Sequence, residues 1–267
     1  MHATAEEAVE ETVRMLNIYA DFCENVLAMP VTRGVKTDKE KFNGAERTYT
    51  VECMMHDKKA LQTHGDDNGL VLPPRIAPVQ AVVIPVAQHK EGVLEAARGL
   101  YDRLQAAGVR VKIDESEQSP GWKFAEYEMR GVPLRVEIGP KDMEKNQCCI
   151  ARRDTGEKTF VPLEALEETV TSLLDAIHDN MFAMAKKNLE DNSFEAETWE
   201  EVKAILEKNN GGFVKTKWCG SLECELAMKE KVGVTSRCMP LQQRKSMGKC
   251  PVCGKECETD IIWGVAY

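Results

Sequence analysis

Ten cysteines stand in a chain of 267 residues, and four near the C-terminus are spaced for metal binding. Cys219 and Cys224 form one short-spaced pair, Cys250-Pro-Val-Cys253 forms a second, and the stretch between them is long enough to fold one onto the other. Two such pairs offer four thiolates to one zinc ion. Four protein ligands leave no open position for a substrate, so the expected role is structural. The proline within the second pair and Gly254 behind it allow the tight turn that aims both sulfurs at one point. Cys238 and Cys257 are spare thiols; either replaces Cys224 or Cys250 if the register differs, and Cys253-x3-Cys257 is itself an acceptable ligand spacing. The competing reading is a set of buried or redox-active thiols, although Cys250 and Cys253 lack the strand-to-helix context of a thioredoxin-like pair.

The other cysteines argue against a disulfide scaffold, since Cys23 and Cys53 fall in helix- or strand-like patterns and Cys148 adjoins Cys149. Met1-His-Ala-Thr-Ala-Glu-Glu opens directly into an acidic amphipathic stretch without a secretory signal. A reducing cytoplasm is therefore expected, where clustered cysteines hold metal more often than they pair. No apolar run reaches the ~20 residues of a membrane span, so no membrane partner is expected. A formal charge of −9 excludes a general cationic field: DNA is not an expected partner, and RNA contact must use local basic patches.

Helical spacing of Val9, Val13, Leu16, Tyr19, Ala20, Cys23 and Leu27 predicts a helix over 5–27. A polar loop over 37–44, a strand over 49–55 and a hairpin turn at Asp57-Lys-Lys follow, and Pro73-Pro74 closes the segment as a stiff joint. Beyond it the pattern alternates. Strands are expected over 80–86, 109–113, 134–138 and 147–151, with helices over 91–107, 121–129 and 163–189. This is the signature of an α/β layer with a mixed or largely parallel sheet. A helix over 198–208 and a Gly211-Gly212 break precede the cysteine-bearing region. The fold class is α/β and α+β: a partial domain over 1–72, an α/β domain over 73–180 and a small α+β zinc domain over 181–267.

Four stretches carry a family resemblance. Gly69-Leu-Val-Leu-Pro-Pro-Arg-Ile-Ala-Pro-Val-Gln80, Ser119-Pro-Gly-Trp-Lys-Phe124, Arg130-Gly-Val-Pro-Leu-Arg-Val-Glu-Ile-Gly-Pro140 and Ala151-Arg-Arg-Asp-Thr-Gly-Glu-Lys158, together with the cysteine quartet and the aromatic Tyr267, resemble prolyl-tRNA synthetase of the type with a C-terminal zinc-binding domain. The resemblance implies a class II aminoacyl-tRNA synthetase that uses ATP and magnesium to activate proline and passes the prolyl group to its tRNA. It also implies losses. Met1 matches a position just after the second class II motif, so that motif's ATP-gripping arginine, the first, dimer-forming motif and the threonine–glutamate part of the proline pocket are expected to be missing. After Gln62 the family continues into a Gly-Thr-Ser-His element and the third motif, whereas here the chain runs almost at once into His64-Gly-Asp-Asp-Asn-Gly69. Adenylation builds negative charge on phosphate oxygens, and losing even one positioned donor costs about a hundredfold or more in rate. The chain is therefore expected not to activate proline unaided.

By the same resemblance, His2 lies near the proline and ATP pocket and Phe42 forms an apolar wall against the pyrrolidine ring; the bland readings are an unstructured terminal histidine and a buried loop phenylalanine. Glu128, Arg135, Lys141 and Asp142 correspond to the residues that read the anticodon of proline tRNA, whose two common bases are guanines. Carboxylates suit guanine N1 and N2 and cations suit O6, while ordinary exposed ion pairs are the alternative. Trp122 and Phe124 serve either to stack on bases or to pack the helix. Lys215, Lys217, Arg237, Arg244, Lys245 and Lys249 touch phosphates or are solubilising surface charge. The Tyr267 carboxylate reaches toward the catalytic domain in the family. A non-catalytic tRNA-binding fragment, a homo-oligomer and a separately encoded catalytic piece all remain open.

Overall fold

The structure, a computed structural model, describes residues 4–54 and 64–265. Along them run α1 (Ala5–Asn25), β1 (Thr32–Val35), β2 (Tyr49–Glu52), β3 (Gly65–Asp66), β4 (Gly69–Leu70), β5 (Ala81–Pro85), α2 (Val93–Ala106), β6 (Val111–Ile113), α3 (Pro120–Met129) and β7 (Leu134–Ile138). Then come α4 (Pro140–Glu144), β8 (Gln147–Arg152), β9 (Lys158–Pro162), α5 (Leu166–Asp191), β10 (Ser193–Glu195), α6 (Trp199–Asn209), β11 (Phe213–Trp218), α7 (Leu222–Val232), β12 (Val234–Pro240), β13 (Gly248–Lys249), β14 (Glu256–Cys257) and β15 (Thr259–Val265). The expected hairpin turn at Asp57, His2 and Tyr267 lie outside the described residues. The chain divides into two compact units, one of 1–25, 29–63 and 184–267, the other of 26–28 and 64–183.

In the second unit a five-stranded sheet has the order β6-β5-β7-β8-β9. β5 is parallel to β6 and β7, while β7–β8 and β8–β9 are antiparallel, the mixed sheet expected from the alternation. Period-2 geometry sends Ala81, Val83, Leu134, Val136, Ile138, Cys148, Ile150 and Val161 into one core, against Ala97, Leu100 and Leu104 of α2 and Leu166, Val170, Leu174 and Ile177 of α5. On the opposite face Val82 and Ile84 pack only with Tyr127 and Phe124 of α3 and with Val79 and Val132. The register pairs Ile84 with Glu137, Glu137 with Cys149 and Cys149 with Phe160, and it pairs Arg135 with Ala151 and Ala151 with Lys158. The β7–β9 part of this face therefore carries Arg135, Glu137, Lys158 and Phe160 at the margin of the small α3 core.

In the first unit a six-stranded sheet has the order β10-β11-β15-β12-β1-β2. Parallel β10 and β11 are joined through α6, whose start is fixed by a reciprocal cap: the Glu201 amide donates to Thr198 Oγ1 (3.2 Å), and the Thr198 amide donates to the Glu201 carboxylate (3.3 Å). α6 and α7 cover one face through Val202, Leu206 and Met228 over Val214, Ile261 and Trp263. The N-terminal segment does not form a layer of its own. Strand β1 pairs antiparallel with β12, Gly34 opposite Pro240, so β1 and β2 extend the C-terminal sheet. A Cβ on Gly34 would come within 2.5 Å of the Cys238 sulfur, so only glycine permits this approach. Buried polar groups fasten the junction. Glu52 accepts from Lys36 Nζ (2.5 Å) and the Arg237 guanidinium (3.0 Å), and Glu225 accepts from the Thr37 and Ser236 hydroxyls (2.9 and 2.5 Å).

Candidate nucleic-acid interface and metal centre

Helix α3 starts at a Ser119–Pro120 cap, with Ser119 Oγ accepting from the Trp122 amide (3.3 Å), and ends at a turn whose carbonyl groups are held from outside the helix. The Arg153 guanidinium donates to the Glu128 carbonyl (2.8 Å) and, two-pronged, to the Asp66 carboxylate (2.7 Å each), tying α3 to the β3–β4 hairpin. Hydrogen bonding by Arg153 holds the Asp66 carboxyl at about 2. Gly69, at φ +126°, would place a Cβ 2.6 Å from the Met129 carbonyl oxygen, so the hairpin too is pressed against the helix end.

This frame brings Glu128 at the end of α3 beside Arg135 on β7. Arg135 Nη1 donates to Glu128 (2.7 Å), its Nε donates to Glu137 (2.9 Å), and its guanidinium lies 4.1 Å from the Phe124 ring centroid. Lys158 Nζ from β9 also reaches Glu137 (3.1 Å) and sits 5.2 Å over the same ring. The result is a planar cation stacked on an aromatic ring and fed by two carboxylates, with a second cation alongside. Such a surface has donors, acceptors and a π-face at one place, which is what a splayed-out purine base needs. Phe124 thus both packs the α3 core and supports the cations. Trp122 (48% exposed) and Phe160 (61% exposed) stand at the surface.

Lys141 and Asp142 lie on α4, one turn beyond β7. The Asp142 carboxylate accepts from the Gly139 amide (3.0 Å), Lys141 is exposed, and no hydrogen bond joins either to Glu128 or Arg135. Two members of the set were missed from sequence. Glu137 was legible only as a residue of the expected 134–138 strand and Lys158 only as the end of the 151–158 stretch, two and twenty-three positions from Arg135, and the sheet register is what makes them neighbours.

In the first unit Cys219 follows β11, Cys224 lies in the opening turn of α7, and Cys250 and Cys253 occupy the turn between β13 and β14. Their four sulfurs all lie within 4.8 Å of one another, and the Cys219 and Cys253 sulfurs are 3.7 Å apart. A tetrahedron with ~2.3 Å zinc–sulfur bonds has edges of roughly 3.8 Å, so the cluster has the dimensions of a four-thiolate site. The Cys250 amide donates to the Lys255 carbonyl (2.9 Å) and Gly254 takes φ +71°, which closes the turn. Burial pushes the Cys219 and Cys224 thiols up, whereas a backbone hydrogen bond from Lys255 and the neighbouring sulfurs draw Cys253 down to about 7. Cys257 lies outside the four. Cys238 is buried in β12 against Gly34, where burial raises its thiol to about 12.

Two other expectations change. Phe42 is 77% exposed in the 37–44 loop, neither a buried loop residue nor a pocket wall among the described residues. Three of the C-terminal cations are committed to the fold: Lys217 to Asp260 (3.0 Å), Arg244 to Asp260 and Glu195 (3.1 and 2.7 Å), and Arg237 to Glu52. Their acidic partners come from β2, β10 and β15; Lys217 is buried in its pair, whereas Arg244 stays 42% exposed at the surface.

The family described as "Anticodon binding domain" matches residues 80–173, and that described as "Prolyl-tRNA synthetase, C-terminal" matches residues 199–267. The chain is 47% identical to the proline–tRNA ligase of Clostridium novyi (strain NT), with all of the chain aligned over 312 positions. The chain belongs to the prolyl-tRNA synthetase family. It is also 49% identical to the proline–tRNA ligase of Ruminiclostridium cellulolyticum and 46% identical to a proline–tRNA ligase 2 of Bacillus cereus. It spans 65% of the length of each of these curated relatives. An aligned span of 312 positions against 267 residues leaves 45 positions of the Clostridium synthetase without a counterpart inside that span. Among the described residues no helix is long and apolar enough to cross a membrane.

Proposed function

We propose that this chain is the tRNA-recognising portion of a proline–tRNA ligase and that it does not activate proline unaided. One observation carries the reading: Glu128, Arg135, Glu137 and Lys158 converge over Phe124 on a sheet face that no large core covers, within the stretch that matches an anticodon-binding domain. Arg135 and Lys158 donate to guanine O6 and N7, Glu128 accepts from N1 and N2, and Lys141 and Asp142 hold the flanking backbone or the second guanine. Neutralising Arg135 with Glu128 and Glu137 before RNA arrives keeps the desolvated guanidinium oriented rather than free to swing.

Residues 1–72, 73–180 and 181–267 act in this reading as a partial catalytic segment, the anticodon reader and a structural zinc domain with Cys219, Cys224, Cys250 and Cys253 as ligands. Zinc cross-links the end of β11, the first turn of α7 and the β13–β14 turn, which share a core. ATP and magnesium chemistry belongs to the catalytic residues of the relatives. The 45 unmatched positions support its absence here, since the expected deletion after Gln62 falls inside the aligned span. A cytoplasmic setting fits the reduced cysteines.

A gel shift at fixed salt with proline tRNA, and with the same tRNA carrying adenines for the two anticodon guanines, tests the reading. Selective retention of the first is expected, together with no proline-dependent ATP–pyrophosphate exchange. Equal affinity for both tRNAs removes the anticodon assignment, and exchange by the purified chain removes the claim about activation.

A further inference from the structure

One exposed phenylalanine means little by itself, since folded proteins leave many apolar side chains at the surface. Phe160 differs because of where the sheet register puts it. Val161 enters the main core of the second unit, so period-2 geometry turns Lys158 and Phe160 to the opposite face, that of Arg135 and Glu137. Lys158 Nζ accordingly reaches the Glu137 carboxylate (3.1 Å). Phe160 pairs with Cys149 and Cys149 with Glu137, while Lys158 stands two residues back along the same strand, roughly 6.5 Å away. β9 is the edge strand of its sheet, and the Phe160 ring is 61% exposed and belongs to neither apolar core of the unit. The Phe124 ring is already covered by Arg135 and Lys158. Trp122 comes two positions before Phe124 on α3, about 200° around the helix, and is turned from this face. Among the described residues, Phe160 is thus the open ring beside the base-reading cluster.

Chemistry selects what such a ring takes. Two anticodon bases of proline tRNA are fixed guanines, and Glu128, Arg135, Glu137 and Lys158, with Lys141 and Asp142 on α4, have the donors and acceptors to read them. The first anticodon base differs among proline tRNAs, so a hydrogen-bonding contact to it would reject some of them. A phenyl ring has neither donor nor acceptor, and every base has a π-face, so stacking holds a variable base without reading it. We infer that Phe160 is the stacking platform for the first anticodon base. This role rests on the anticodon reading above and extends it: polar groups around Arg135 select the guanines, and the ring one strand step beyond Lys158 grips the base that must not be selected.

Fluorescence anisotropy with proline tRNA carrying each of the four bases, or an abasic nucleotide, at the first anticodon position tests the role. Circular dichroism melts establish that each variant is folded. The parent is expected to bind the four bases within about threefold of one another and the abasic tRNA roughly 5- to 150-fold more weakly. Phe160→Ala binds all five alike, at the abasic level, because the ring and the base are lost as a pair. Phe160→Trp keeps the difference, and Phe160→Leu, which stays apolar without a π-face, loses it; the leucine variant stands in if the alanine variant unfolds. Discrimination of guanine from adenine at the other two positions survives in every variant, which a general disturbance of the sheet would not allow. Losses that simply add, with no coupling between Phe160 and the base, overturn the proposal, as does a parent that prefers one first base by more than about tenfold. A parent that reads the guanines but binds no better than Phe160→Ala sinks this role alone and leaves the ring to a protein partner. Failure of the parent to read the guanines removes the anticodon reading and this role together.

Discussion

Arg135→Lys separates guanine reading from general attraction to RNA. The arginine is 9% exposed, contacts Glu128 and Glu137 through different nitrogens and lies flat on Phe124. A lysine keeps the charge but has one ammonium, which cannot serve both carboxylates while covering the ring. Glu137 retains Lys158, so the folded state loses about one charged hydrogen bond and its stacking, a cost of about 1.5–3 kcal/mol. Against tRNA the loss is the two-pronged contact to a guanine edge, about 1–3 kcal/mol of discrimination, or roughly 5- to 150-fold in affinity. Fluorescence anisotropy with proline tRNA and with an adenine-substituted anticodon, for both the parent and the variant, closes a double-mutant cycle. The parent discriminates, the variant discriminates less, and the slope of log affinity against log salt stays the same because the charge is conserved. Equal losses on both tRNAs would falsify the assignment of Arg135 to a base, and a changed salt slope would assign it to phosphate.

Cys253→Ser lowers zinc content and melting temperature, while Cys238→Ser leaves zinc content unchanged; metal analysis after dialysis, with and without a chelator, reads both. Asp260 is fully buried, and although burial alone would raise its carboxyl, hydrogen bonds from Arg244 and Lys217 hold it at about 2. Its folded value lies below the unfolded one, so it contributes about 2–3 kcal/mol that is present above pH ~4 and is lost as pH falls toward ~2. Asp260→Asn is accordingly less stable in urea at neutral pH, and the gap to the parent narrows over that acid range; a gap independent of pH contradicts the ion-pair account. Gly34→Ala forces β1 away from β12 and costs about 1–3 kcal/mol, seen as faster hydrogen exchange in β1 and β2 with the second unit unchanged.

Much of the second unit was legible because its signals are local. Alternating apolar runs and helical periods marked the strands β5 to β8 and the helices α2, α3 and α5 to within a few residues, since each buries one face of a regular period. Strand β9 was not anticipated: Lys158, Thr159, Phe160 and Pro162 are exposed, and a lone buried Val161 gives no alternation to read. β1, with Gly34 at its centre, was equally silent. β11 and β12 were hidden because buried positions in them are held by the polar Thr216, Lys217 and Ser236, which breaks the apolar alternation.

The residue types and spacings, with the family resemblance they carry, pointed to the family, to the four cysteines that the fold clusters and to Glu128 beside Arg135. These are properties of short stretches, where chain geometry alone limits which side chains can meet. Only tertiary structure decided that Glu137 and Lys158 join that cluster, that Lys217, Arg237 and Arg244 are already paired, and that the N-terminal strands complete the C-terminal sheet. Each depends on strand register between distant segments, and register is set by packing of the whole layer rather than by any one run of residues.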